Sequence, residues 1–403
     1  MSGVRADPRY RSPSPAKRPG MRIRWTDPKF RSLFWQLTII GGLAALAWYL
    51  VSNTNRNLES RHIATGFGFL FDASPIPIGE SLLPYEPSVN TYGYALLIGI
   101  LNTLRVSVVG IVLATILGTL IGIGRLSTNW LLARCTAVYV EVLRDIPLLL
   151  QLLFWYALLQ GLPPPRQSIH LGDWVYLSNR GIKFPAFAWE AAYDWVLLAF
   201  GVGIIGTALW DRWCTRRQEA TGVRPPAWPV ALILLVVVPA IVWAALGAPF
   251  TLEKPILRGF NFTGGLTGSP EYTALLAGLV LYTAAYIAEI VRSGIEAVPA
   301  GQWEAAAALG LHRGVTLRRI VLPQALRVIV PPMTSQYLNL TKNSSLAVAI
   351  GYQDIVSIAD TTLNQTGQAI EGIAIIMAVY LTISLSISLF MNWYNARIAL
   401  IER

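Results

Sequence analysis

The sequence predicts an all-α protein, a polytopic bundle of about eight transmembrane helices with both termini in the cytoplasm. Three observations carry that prediction. Of the 403 residues, 54% are hydrophobic and 13% charged, about half the charged share of an ordinary soluble domain. The apolar residues gather into stretches near the roughly 20 residues that cross a 30 Å hydrocarbon core as a helix. Lys and Arg concentrate in alternate gaps between those stretches. The same composition excludes a disordered chain and a soluble enzyme.

The first apolar stretch, 33–51, carries no charge and follows a tail, 1–32, that holds nine Lys and Arg. No small-residue cleavage pattern follows it, so a removable signal peptide is not expected. Further spans are predicted at 94–123, 134–159, 192–210, 228–246, 272–291, 325–350 and 371–394. Pro331-Pro332 and the run 341–345 break the seventh into pieces. With the tail inside, cytoplasmic segments receive 22 Lys and Arg and external segments 7, the asymmetry that fixes topology in membrane proteins. The external gaps 52–91, 160–191 and 247–270, with Pro163-Pro164-Pro165 and Gly264-Gly265, read as ordered surface loops without regular helix.

A net charge of +10 predicts no nucleic-acid partner here, because the basic residues form no single face. Cys135 and Cys214 fit neither a disulfide framework nor a metal site. No phosphate-cradling Gly-x-x-x-x-Gly-Lys-Ser/Thr run occurs, and the three histidines stand far apart in sequence. The chain is expected to hold no catalytic residue, no metal and no cofactor of its own. Moving a solute up a thousandfold gradient costs about 4.1 kcal/mol. If ATP supplies that energy, another chain must hydrolyse it.

The cytoplasmic loop 299–323 carries the most specific pattern. Glu304-Ala305-Ala306 is expected to open a short helix of Ala, the best helix former, which Gly310 can end in the left-handed conformation. A second short helix is expected at 315–320, with Pro323 marking the return into the membrane. Small Ala side chains let another protein approach the backbone closely, and Glu304 adds a charge to grip. A solvated connector is the plainer alternative for such a loop.

Glu304, Ala305, Ala306, Gly310, Ile320, Leu322 and Pro323 match, at seven positions over 20 residues, the coupling-loop signature of permease subunits of bacterial ATP-binding-cassette (ABC) importers. The resemblance extends over 94–160 and 272–397 and looks nearest to the polar amino acid permeases, which have segments similar to 102–105, 139–151 and 340–346. Those permeases more often have Arg-Gly-Thr-Pro where this chain has Arg144-Asp145-Ile146-Pro147. The resemblance implies the type I importer permease fold with five core helices, divided here between 94–160 and 271–403. By the same comparison 33–93 contributes a leading helix and its periplasmic loop, and 161–270 is an insertion with two more helices. So enlarged, the chain resembles the larger subunit of the general L-amino acid importers. That implies a multi-pass protein of the bacterial inner membrane that imports polar L-amino acids. The implied partners are ABC ATPase subunits carrying ATP and Mg, a second homologous permease, a periplasmic amino acid binding protein and the lipid bilayer.

Glu141, Arg144 and Asp145 lie about ten residues into the third span, roughly 15 Å deep. Their i, i+3 and i, i+4 spacings put them on one helix face. Each costs on the order of 2.5–3.5 kcal/mol at that depth, so each needs a partner or a wet pathway. Two readings stay open. Arg144 can grip a substrate carboxylate while Glu141 or Asp145 meets its ammonium; or Glu141 and Arg144 neutralise each other and pin the helix. Gln151 joins this candidate pathway. Asn339, Lys342, Asn343, Ser344 and Ser345 form a second polar cluster in a broken span, a recurrent setting for transport sites.

Glu289 and Arg292 read as a helix-surface ion pair, and Arg105 as a side chain snorkelling to the external interface. Tryptophans including Trp25, Trp35, Trp48, Trp210, Trp213, Trp228, Trp243 and Trp393 read as interfacial anchors. A proton-coupled secondary carrier using Glu141, Asp145 or Glu289 is the alternative, though no repeated halves are visible. A membrane scaffold would leave the midplane charges without a purpose.

Overall fold

A computed structural model describes residues 28–60, 65–172, 174–248 and 250–398. Most of the basic tail 1–32, with Trp25, lies outside the described residues. The chain divides into two compact units, 1–66 and 67–403. In the first, α1 (Pro28–Ser60) contains the predicted first span and continues nine residues past its end at 51.

The second unit is built on α2 (Tyr92–Arg125) and α8 (Pro270–Glu296). Thr91 caps α2 by accepting from the Tyr94 amide at 3.3 Å, and Ser269 caps α8 by accepting from the Tyr272 amide at 3.0 Å. Gly110, Ala114, Gly118 and Gly122 recur every fourth residue and give α2 a stripe with almost no side chain. A Cβ on Gly118 would lie 2.6 Å from the Ile287 Cβ and 2.8 Å from the Ala284 carbonyl; one on Gly122 would lie 2.7 Å from the Ala288 carbonyl. Membrane helices gain little from the hydrophobic effect between themselves, so such close backbone approach is what binds them. Leu275, Leu279 and Ile287 of α8 are fully buried against Val106 and Ala114 of α2, Leu152 and Leu340.

The predicted third span, 134–159, is not one straight helix. It is α3 (Trp130–Asp145) and α4 (Leu148–Gln160), bent by 105°. Pro147 has no N–H to continue α3 and forces Ile146 out of helical geometry. The carbonyls freed at the bend need donors inside the membrane. Gln151 supplies them: its Nε2 donates to the Leu143 and Ile146 carbonyls, each at 2.9 Å.

The inserted region forms a helical hairpin on a layer of short strands. The strands are β1 (Ile169–Leu171), β2 (Val175–Ser178), β3 (Gly181–Phe184), β4 (Ala186–Phe187), β5 (Leu252–Glu253), β6 (Ile256–Arg258), β7 (Asn261–Thr263) and β8 (Leu266–Gly268). A four-stranded antiparallel sheet runs β1-β2-β3-β8; β4 pairs with β5, and β6 with β7. The expected surface loops at 160–191 and 247–270 are therefore hydrogen-bonded to each other across the hairpin. The hairpin is α5 (Ala191–Thr221) followed by α6 (Trp228–Leu232), a π turn at Ile233–Val237, and α7 (Val238–Ala245).

After α8 come α9 (Ala300–Ala308), α10 (Arg313–Thr316), a π turn at Leu317–Val321, and α11 (Leu322–Asn343). Glu304 thus sits within α9 and does not open it, since Pro299 precedes a helix already formed at Ala300. Helix α11 stays continuous through Pro331 and Pro332, against the expected break there. It ends at Asn343 in a 3₁₀ turn, Ser344–Ile350, closed by Gly351 at φ 80°. Then α12 (Ile355–Thr366) and α13 (Ala369–Ile398) complete the chain. Among the described residues six helices are long and apolar enough to cross a membrane, and the bent α3–α4 pair brings the number to seven. The two prolines and the polar end of α11 keep it below that threshold.

Candidate functional site

The loop between α8 and α11 folds into two short helices meeting at Gly310, whose φ of 68° is the left-handed conformation expected of it. The Gly310 amide donates to the Ala307 carbonyl at 2.9 Å and the Leu311 amide to the Ala306 carbonyl at 3.1 Å. These bonds satisfy the carbonyls that a helix leaves free at its C-terminus. Ala306 is buried, while Glu304, Ala305 and Gly310 are exposed. Ile320 and Pro323 are half-buried, and Leu322 is exposed. Leu309, Leu311, Val315 and Leu317 are exposed as well. Exposed apolar side chains thus accompany the exposed small residues of this corner.

Behind this loop an ion network ties the adjacent ends of α2 and α8 together. Arg125 pairs with Glu289, which Arg292 also meets at 2.5 Å, and Arg292 reaches Glu296. The predicted Glu289–Arg292 pair is present, with Arg125 joined to it. Arg105, expected to snorkel, is held instead at 3.1 Å by Glu80 and lies 4.2 Å from the Tyr272 ring centre. Its partner comes from the loop before α2, so the distance in sequence hid the pairing.

Between α8 and α11 lies a polar cavity of about 310 Å³ lined by Tyr282, Thr283, Tyr286, Gln336, Asn339 and Asn343. The hydroxyls of Tyr282 and Tyr286 are 3.2 Å apart. The Arg144 guanidinium stands 5.0 Å from the Tyr286 ring centre, a cation held over an aromatic face. Glu141, Arg144 and Asp145 are all exposed on this chain. Among the described residues Glu141 and Arg144 form no ion pair with each other, so mutual neutralisation is not what settles them. Three charges on the bare face of a membrane helix need water or another subunit to cover them.

The structure thus brings Asn339 and Asn343 to one cavity, sets Arg144 over the ring of its Tyr286 wall, and leaves other predicted residues outside it. Gln151 is spent on the α3–α4 bend. Lys342 is exposed. Ser344 and Ser345 turn their hydroxyls onto the Thr341 and Lys342 carbonyls, at 2.7 and 2.8 Å. The sequence reading missed Tyr282, Thr283, Tyr286 and Gln336. The signal was present in the i, i+4 spacing of the two tyrosines, within a helix otherwise apolar or small at its centre.

Residues 225–400 match the family model described as the binding-protein-dependent transport system inner membrane component. Over 94% of its length the chain is 50% identical to the General L-amino acid transport system permease protein AapQ of Rhizobium johnstonii, covering 94% of that protein. It is 47% identical to the putative amino-acid ABC transporter permease protein YhdX of Escherichia coli, across 94% of this chain and 97% of the relative. The glutamate/glutamine/aspartate/asparagine transport system permease protein BztB of Rhodobacter capsulatus is 44% identical, with 94% and 96% covered. The chain belongs to the ABC importer permeases. As a member of that family this permease is an inner-membrane protein with the type I importer fold. Its similarity to these relatives runs through the inserted hairpin as well as the core, since each is matched over nearly its whole length.

Proposed function

We propose that this permease carries amino acids, most broadly polar L-amino acids, from the periplasm to the cytoplasm on energy released by ATP hydrolysis in a partner subunit. The observation that carries the reading is the exposed Arg144 guanidinium over the ring of Tyr286, a residue that with Tyr282, Gln336, Asn339 and Asn343 lines a polar cavity. In that place Arg144 pairs with the substrate carboxylate through a forked, charge-assisted hydrogen bond. Glu141 or Asp145 receives the ammonium, and Asn339 and Asn343 take side-chain polar groups of varied shape. A second, homologous permease closes the face, and a periplasmic binding protein delivers the substrate. The exposed α9–α10 corner seats in an ABC ATPase subunit that binds ATP and Mg. Closure of the ATPase moves α8 through the Arg125–Glu289–Arg292 network, and with it the cavity wall.

Uptake of a panel of acidic, neutral and basic amino acids into vesicles containing the assembled complex tests the reading. Glu304→Lys should abolish uptake while the protein remains inserted; undiminished uptake overturns the coupling role. Collapse of the proton gradient with ATP maintained should spare transport. No observation in the structure or the comparisons favours the proton-coupled carrier.

A further inference from the structure

The inserted hairpin carries its own record of where the membrane lies. Trp195 and Trp210 of α5 are 15 residues apart, and so are Trp228 and Trp243 across α6 and α7. At 1.5 Å per residue both pairs span about 22 Å. A Cβ on Gly203 would strike the Leu234 carbonyl, so the two helices touch midway between their tryptophans. Trp195 and Trp243 therefore share one level, and Trp210, Trp213 and Trp228 the other. Indole rings settle at the headgroup boundary.

Just beyond the second level, the stretch from Asp211 to Arg224 holds four arginines and two acids. Arg224 pairs with Asp211 at 2.8 Å and so pulls the turn back onto α5. The Arg217 guanidinium is 5.1 Å from the Trp213 ring centre, and Trp210 and Trp213 lie 4.7 Å apart. Arg212 and Arg216 remain. Both are exposed, one turn apart, and neither has an ion-pair partner among the described residues, Glu219 included. Val202, Ile205 and Leu209 precede them on the same helix face at heptad spacing, each more than half exposed. That face is an apolar stripe ending in two guanidinium groups at headgroup depth.

We infer that Arg212 and Arg216 bind the phosphate of an anionic glycerophospholipid whose acyl chains lie along Val202, Ile205 and Leu209. Guanidinium groups present paired donors that match phosphate oxygens, and the positive-inside distribution assigns this end to the cytoplasmic leaflet. Free phosphate shares the headgroup chemistry but gains nothing from the stripe below it. A protein docked here would have to bring both an acidic group for the two arginines and an apolar face for the stripe, whereas a phospholipid supplies both halves at once.

The assembled transporter, placed in nanodiscs of phosphatidylcholine with or without phosphatidylglycerol, tests the assignment by mass spectrometry of the lipid retained after detergent washing. Wild type should retain phosphatidylglycerol. Arg212→Gln with Arg216→Gln should weaken retention by about thirtyfold, from two basic side chains at a charged surface. The double lysine variant, which keeps charge and loses the fork, should fall between them and guards against a folding artefact. Inorganic phosphate added to phosphatidylcholine discs should not raise the melting temperature as phosphatidylglycerol does. Equal retention by the glutamine variant overturns the site; so does an equal effect of free phosphate, or cross-linking from position 212 to protein in place of lipid. Retention is measured without turnover, so it stands or falls independently of the transport reading.

Discussion

Helix α8 and the inserted α5 are both apolar enough to cross a membrane, with mean hydropathies of 1.9 and 1.6, yet 61% of an apolar 18-residue stretch of the first is buried within the chain and 6% of the matching stretch of the second. Hydropathy does not separate them; side-chain size does. α8 offers Ala274, Gly278, Ala284, Ala285 and Ala288 to its neighbours, and α2 answers with a glycine stripe, so backbones approach closely and hold. α5 turns Val202, Ile205 and Leu209 outward and meets its partner helices mainly through Gly203 and Gly206. The buried helix also carries Tyr282, Tyr286 and Glu289 and leads directly into α9. A helix gripped on several sides can pass a displacement along its length, whereas the helices of the hairpin pack chiefly on each other.

That contrast is broken most severely at Gly118. A leucine there would have to displace Ile287 and the Ala284 carbonyl, so about 3 kcal/mol of stability or more should be lost, read as a fall in the melting temperature of the purified protein. Gly203→Leu should instead part the hairpin while the α2–α8 body still unfolds cooperatively, a difference that cysteine cross-linking across each contact would display. The next largest effect is expected at Arg144. Arg144→Gln should lower uptake about tenfold to a hundredfold, the worth of a charged hydrogen bond, while ATPase activity persists. Arg144→Lys should recover only part of it, because the ammonium cannot fork.

A titration gives a smaller signal on the buried side. Asp354, in the turn before α12 and outside the spanning helices, is fully buried. It accepts from the Ser357 amide at 2.8 Å and from the Tyr380 hydroxyl at 3.4 Å. Burial raises its carboxyl from 3.8 to about 7, against the pull of those hydrogen bonds. A raised folded value means the native state holds a proton that the unfolded chain has released. Its contribution is complete below about pH 4 and is lost as pH rises through about 7, at no more than about 1.4 kcal/mol per unit. The melting temperature should therefore fall between pH 5 and 7, and Asp354→Asn, which keeps the cap acceptor, should flatten that slope.

Much of this was legible in the chain itself. The apolar stretches gave the helices because the bilayer fixes their length, and the Glu304 to Pro323 spacing gave the corner because it reads as local caps and turns. The 105° bend was foreshadowed by Pro147, but its angle depends on Gln151 reaching back to two carbonyls. Helix α11 survived two consecutive prolines because neighbouring helices hold it, which no local rule encodes. The cavity was half visible: Asn339 and Asn343, and Arg144 beside it, stood out as polar groups in apolar surroundings. Tyr282 and Tyr286 did not, since a tyrosine in a membrane helix passes as an anchor until its neighbours are known. Arg105 was misplaced for the opposite reason, its partner Glu80 lying 25 residues away in a loop.

The smallest effect tests the contrast most finely. A Cβ on Gly201 would meet nothing within 4 Å, whereas one on Gly206 would sit 3.0 Å from the Leu234 Cδ1. Both glycines weaken a helix by up to about 1 kcal/mol relative to alanine. Gly201→Ala should therefore stabilise the hairpin by that amount or less, because its new methyl faces open space. Gly206→Ala should come out near zero, the propensity gain spent in pushing Leu234 aside. If Gly201→Ala destabilised the protein, something absent from the isolated chain would have to press on that face, and the hairpin would be a subunit contact instead of a surface bathed in lipid.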